Sequence, residues 1–205
     1  MQSYDLQIGR ARPFIESASE NDWETIDCAR NPGHQRAGRR VTDLFLDILS
    51  WNVVDFSRTM LSDIVITDNA LHVLRDAKLD GFKVKPKKTV GAPASRNRSD
   101  FPQLWEFVVT GSGGPAHSSS GIVELSTCEA CGLVRHSAFE NGINVDEATY
   151  DGSDFFTVLE YPKYVLASER AKLAIEEARL TNISFLESSA LKWPDGVLKP
   201  RSLPL

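Results

Sequence analysis

Cys128-Glu129-Ala130-Cys131-Gly132 is the one compact chemical motif in this chain. Two thiolates three positions apart can grip a single tetrahedral Zn²⁺ from a tight turn. The glycine that follows lets the backbone fold back, so that amides face the sulfurs. One such pair is half a site, and no second CxxC accompanies it. The further candidates for donors are Cys28, His34, His117 and His136. Three readings of the motif stand side by side: a zinc knuckle, two reduced cysteines at a bare β-turn, and a redox pair. Redox pairs normally open a helix after a strand rather than sit at a hairpin tip.

Other chemistry finds little footing. No GxSxG occurs, and His34, His72, His117 and His136 show no paired spacing for base catalysis. The glycine-containing stretch Gly111 to Gly121 lacks the lysine of a phosphate-binding loop, and no GxGxxG is present. Asp68, Glu169, Glu176 and Glu177 mark helix faces and caps. The chain therefore reads as a non-enzyme.

The elements that must position the cysteines are organised by an internal repeat. Ile64 to Val84 and Val165 to Phe185 align with an offset of 168 − 67 = 101 residues. Ala70, Leu74, Ala77 and Leu79 then fall on Ala171, Ile175, Ala178 and Leu180, while Phe82 and Val84 fall on Ile183 and Phe185. Each copy predicts a short apolar strand, a hydroxyl N-cap (Thr67 or Ser168), a helix of about ten residues and a second strand. Gly81 aligns with Asn182, and both tolerate the left-handed conformation that stops a helix. The 14 residues from Thr67 to Asp80 suffice for a helical crossover between parallel strands.

Around the repeat the chain reads as follows. Residues 1–22 form a loosely structured, extended lead-in, and Trp23 to Ile26 a short strand. Asp27 to Arg40 is a loop, either a solvated basic turn or a stretch in which Cys28 and His34 hold a metal. Val41 to Trp51 predicts an amphipathic helix burying Val41, Leu44, Phe45, Ile48 and Leu49. Lys83, Lys85, Lys87 and Lys88 make a solvated patch, and GAPASRNRSD (residues 91–100) a linker. Leu104 to Thr110 is a buried strand, and Ile122 to Leu125 with Leu133 to Phe139 a hairpin carrying the cysteines at its tip. Asn141 to Gly152 is an acidic loop, and residues 191–205 an extended end.

The expected architecture is one α+β domain of 205 residues. Its two related strand-helix-strand units, at about 55–90 and 154–190, pack around a mostly antiparallel sheet, with the CxxCG hairpin inside a 100–140 β region. Apolar content of 41% and charged content of 25% are those of ordinary globular proteins. No apolar run approaches the ~18 residues of a membrane span, and the N-terminus lacks the look of a signal peptide. Three cysteines argue against a disulfide framework and for a reducing, cytoplasmic setting. A net charge of −5 argues against a general nucleic-acid binder.

Taken together, the CEACG turn, the acidic loop, Asp154-Phe155-Phe156 and YVLASERAKLAIEEARLTNISF resemble the double-CXXCG motif proteins of bacteria. Some members of that family are immunity proteins that neutralise toxins exchanged between neighbouring cells. The Leu104–Thr110 strand with Trp105, the His117 loop and the Ser168-Glu169-Arg170 helix start are similar to the family pattern as well. The likeness runs from about Trp51 to Glu187. It departs at the first CXXCG, where this chain has Cys28-Ala29-Arg30-Asn31-Pro32-Gly33-His34. The resemblance thus implies a structural zinc site of Cys28, His34, Cys128 and Cys131, with no open position for catalysis, or a decayed site replaced by packing. It also implies a cytoplasmic binding protein that occludes a cognate toxin, its acidic surplus meeting a basic face. The competing expectation is a zinc-ribbon-like regulatory or nucleic-acid-binding module contacting through Lys83–Lys88 and the arginines of 30–40.

Overall fold

The computed structural model describes residues 1–9, 15–91 and 101–193. In chain order its strands and helices are β1 (Ser3–Ile8), β2 (Ile15–Ser17), β3 (Trp23–Ile26), β4 (Arg36–Arg40), β5 (Leu44–Ile48), β6 (Phe56–Arg58), β7 (Ile64–Thr67), α1 (Asp68–Asp76) and β8 (Phe82–Thr89). They continue with β9 (Leu104–Val109), β10 (Gly111–Ser112), β11 (Glu124–Thr127), β12 (Val134–His136), β13 (Phe155–Thr157), β14 (Leu166–Ser168), α2 (Glu169–Glu177) and β15 (Ile183–Glu187). The fold is α+β and its sheets are mostly antiparallel. There are two principal sheets rather than one, ordered β2-β5-β8-β9-β7-β6 and β10-β13-β14-β1-β15, together with the two-stranded pairs β3-β4 and β11-β12. The larger sheet curls back on itself. Ser17 Oγ donates to Asp63 Oδ2 at 3.2 Å and the Met60 amide to Glu16 Oε1 at 3.0 Å, tying β2 to the β6–β7 turn.

Both helices begin for the same local reason. Thr67 and Ser168 lie in extended backbone and their hydroxyls accept from the amides of Ala70 and Ala171 at 3.2 and 3.1 Å. Asp68 and Glu169 then favour the positive end of the helix dipole. The stop comes earlier than Gly81 and Asn182. Lys78 and Arg179 take the left-handed conformation, with φ of 51° and 52°. The amides of Leu79 and Leu180 reach back to the carbonyls of Leu74 and Ile175, closing a Schellman turn over two buried leucines. Gly81, at φ 78°, serves the next step: a Cβ there would come within 2.1 Å of the Phe155 carbonyl oxygen. In the other copy Asn182 sends its side-chain amide to the Phe56 carbonyl at 2.8 Å.

The strands flanking each helix are parallel to one another, but another strand lies between them. β9 separates β7 from β8, and β1 separates β14 from β15, antiparallel to both neighbours in each case. The registers coincide on a 101-residue shift. Thr67 faces Leu104 as Ser168 faces Ser3, and Phe82 faces Val109 as Ile183 faces Ile8. Each half of the chain therefore lends its first strand to the sheet of the other.

This exchange overturns the reading of residues 1–22 as a loose lead-in, because β1 is an interior strand with Ser3 to Leu6 buried. Two further expectations change. Arg36–Arg40 is a strand paired with Trp23–Ile26 instead of loop. Leu44–Ile48 is a strand instead of helix; Leu44, Leu46 and Ile48 point inward by alternation, while Val41 and Leu49 are exposed. Of the 91–100 linker only Gly91 lies within the described residues. Of the 191–205 end, Leu191 and Trp193 pack on a core cluster around Phe139, and 194–205 lie outside the described residues.

The central core is built from both halves: Leu6 with Phe107, Ile64 with Val165, Ile66 with Ala167, Leu74 with Ile175, and Leu79 with Leu180 are matched pairs within it. Two acids staple it. Asp154 accepts from Ser168 Oγ (2.7 Å), Arg170 Nε (3.0 Å) and the Asp80 amide (2.9 Å). Asp55 accepts from Thr67 Oγ1 (2.8 Å), Asn69 Nδ2 (3.1 Å) and the Thr181 amide (2.9 Å). Each acid thereby holds its own helix cap and the helix exit of the opposite half.

Burial alone would raise the Asp55 pKa, but hydrogen bonds from Asn69, Thr181 and Thr67 outweigh it and hold the carboxyl below the ordinary aspartate value. Its stabilising contribution is therefore complete above the unfolded pKa of about 4 and is lost as pH falls through the lower folded value. Urea midpoints compared between pH 6 and pH 3 should drop more steeply for the native chain than for Asp55→Asn. Parallel curves would remove Asp55 from the acid response.

Candidate metal centre

The β3–β4 and β11–β12 hairpins are also counterparts, since Trp23–Ile26 lies 101 residues before Glu124–Thr127 (124 − 23 = 101). Their tips meet. In the second tip the Cys128 amide donates to the Leu133 carbonyl at 2.9 Å and the Gly132 amide to the Cys128 carbonyl at 2.7 Å. Gly132 sits at φ 66°, which returns the chain and leaves both sulfurs facing one way. The first tip reaches the same place by other means. Asn31 caps a single 3₁₀ turn, Pro32–His34, its Oδ1 accepting from the Gly33 amide at 2.9 Å. That turn swings the His34 ring inward, with Asn31 Nδ2 3.1 Å from its Nε2.

The donor atoms of Cys28, His34, Cys128 and Cys131 all lie within 4.8 Å of one another. Cys28 Sγ is 3.7 Å from Cys128 Sγ, and Cys131 Sγ is 3.8 Å from His34 Nδ1. Ligands bound about 2.3 Å from a tetrahedral centre stand roughly 3.8 Å apart, so the spacing fits a four-coordinate ion. A bare β-turn would not require a third thiol and an imidazole from the other half of the chain. Arg36, at the start of β4, donates through Nη2 to the Cys131 carbonyl at 2.9 Å and brings Nη1 within 3.6 Å of Cys131 Sγ.

This environment divides the thiols. A hydrogen bond from the Leu133 backbone, aided by Arg36 and His34 against the opposing effect of burial, pulls the Cys131 pKa down to about 6. Burial pushes the Cys28 thiol up, opposed by backbone hydrogen bonds from Arg30 and Asn31. Cys131 is thus poised as thiolate, the form that binds metal. Three soft sulfurs and one imidazole nitrogen are a donor set suited to zinc, and all four come from the protein, as in closed structural sites.

His117 and His136 stand outside the cluster. His117 Nδ1 is 2.8 Å from Ser119 Oγ, where it caps a short turn, and His136 lies on β12 opposite Glu124. His72 lies on the exposed face of α1, 3.1 Å from Asp68 Oδ2. Arg36 and Asn31 were hidden in the sequence by the apparent loop; the 101-residue shift reaches only the first strands of the two hairpins, since Arg36 would then fall on Ser137, beyond β12. No protein-family model matches the chain, and no curated protein aligns with it.

Proposed function

We propose that Cys28, His34, Cys128 and Cys131 hold one zinc ion as a structural clip between the two halves. We further propose that the clipped protein is a binding protein of the immunity kind, which occludes a cognate toxin rather than catalysing a reaction. The convergence of four donors within 4.8 Å, two from each half, carries the first part. A Cys₃His site with every position filled by protein supplies rigidity and leaves no coordination position for substrate. The binding part rests on the motif likeness and on the acidic balance of the chain, −5 overall.

Several of the cations that the nucleic-acid alternative would use face intramolecular partners. Arg30 faces Glu129 at 3.6 Å, Arg39 faces Glu24 at 3.2 Å, Arg36 is engaged at Cys131, and Arg40 pairs with Glu106 in the interior. Lys88 faces Asp43 at 3.2 Å.

Native mass spectrometry should find one zinc per chain, absent from Cys128→Ser. Metal-free protein in both samples would end the clip. For the partner, this chain expressed in a sensitive strain should raise survival in co-culture with a toxin-delivering neighbour. The purified toxin domain should form a complex that weakens as salt rises. Survival unchanged by the chain, or tight binding indifferent to salt, would count against occlusion by charge complementarity.

A further inference from the structure

The two hairpin arms, residues 23–40 and 124–136, have almost no interior. Among them Cys28 is the one buried residue. None of their side chains belongs to the three hydrophobic clusters that hold the rest of the fold. Two-stranded hairpins of this size are marginal in water without an apolar face to bury. What joins arm to arm is the Cys/His cluster, Arg36 on Cys131 and the exposed Arg30–Glu129 pair. An exposed ion pair of that kind adds little, because water screens it. Among the described residues, both arms are anchored at their bases. The Arg40–Glu106 pair fixes the first to β9, while Val123 and Ser137 exchange hydrogen bonds beneath the second.

We infer that metal occupancy sets the order of the surface formed by the two arms, while the strand-exchanged body folds without it. The inference rests on the zinc reading above and adds where the binding energy goes. Because the ligands come from both halves, ion binding closes the tips against one another. Because no core residue depends on them, its loss opens the tips and leaves the sheets intact. This arrangement makes the arm surface a zinc-dependent feature of an otherwise zinc-independent protein.

Hydrogen exchange on the full chain tests this, with zinc content read by mass spectrometry on the same samples. The samples are zinc-loaded protein, the same protein after treatment with a zinc chelator, and Cys128→Ser. Amides of 25–37 and 126–135 should exchange about tenfold faster or more without metal, and those of β1, β7, β9 and β14 should not change. Zinc bound but arm exchange unaltered by its removal would overturn the inference alone. Global loss of protection would overturn it too, by making the body metal-dependent. Absence of zinc in every sample would overturn both this inference and the clip.

Discussion

Neither half of this chain should fold without the other. Severed between Ser95 and Arg96 and expressed as two pieces, each fragment should show the circular dichroism of an unfolded chain. Mixed, the two should recover the native spectrum and bind one zinc per pair. The physical reason is the exchange of strands. The first piece would hold β7, α1 and β8 but lack β9, so two parallel strands would face an empty position, with Leu104 and Phe107 missing from the cores. The second would hold β14, α2 and β15 but lack β1, with its buried Tyr4 and Leu6. Burying one such side chain is worth about 1.5–3 kcal/mol, and net stabilities of domains are only about 5–15 kcal/mol. Loss of a whole central strand therefore exceeds what either piece can spare. The zinc stoichiometry adds an internal check, since Cys28 and His34 reside on one piece and Cys128 and Cys131 on the other. A fragment that folds alone would show the exchange to be dispensable.

The second large effect is expected at Asp154. It is 2% exposed, and its carboxylate satisfies the cap hydroxyl of α2, the amide of Asp80 and the guanidinium of Arg170. Asp154→Ala leaves the Ser168 hydroxyl and the Asp80 amide without their acceptor and separates helix α2 from the exit of α1. Breaking one partner of a buried charged network costs about 3–5 kcal/mol. For a chain of this length that is a fall of roughly 10 °C in Tm. Arg170→Ala should cost less, because the Arg170 side chain is 56% exposed and water can replace it. Urea unfolding followed by tryptophan fluorescence measures both. A cost below about 1 kcal/mol at Asp154 would mean that the cap and exit are held by other contacts.

Much of the repeat was legible because its signals are local. A capping hydroxyl and an apolar stripe at helical spacing both fall within about fifteen residues, and Thr67–Leu79 and Ser168–Leu180 carry both; the left-handed stop, expected at Gly81 and Asn182, falls instead on Lys78 and Arg179, whose side chains give no sign of it. The hairpin turn at Cys128 was legible for the same reason. Strand β1 was not. Its partners lie at 166–168 and 183–187, and its buried Ser3 and Asp5 look like solvent residues until Ser188 and Gln7 hydrogen-bond them. Leu44–Ile48 misled differently: its apolar residues satisfy a helical and an alternating period at once, and pairing with β2 and β8 decides between them. Of the site, the four donors could be named from the sequence. Their meeting depends on two hairpins far apart in the chain, and Arg36 became visible only when its run of arginines proved to be a strand.

The position of β1 also fixes an order of events during synthesis. Ser3–Ile8 is made well before both strands that flank it, which lie beyond residue 165. On the ribosome this segment must wait, without its strand partners, until residues 166–187 have emerged. The loops it closes are long, and long-range pairing of this kind slows folding. During that interval Tyr4 and Leu6 stand open to other chains, so the yield of native protein should depend on how crowded and how warm the cell is while residues 166–187 are being made.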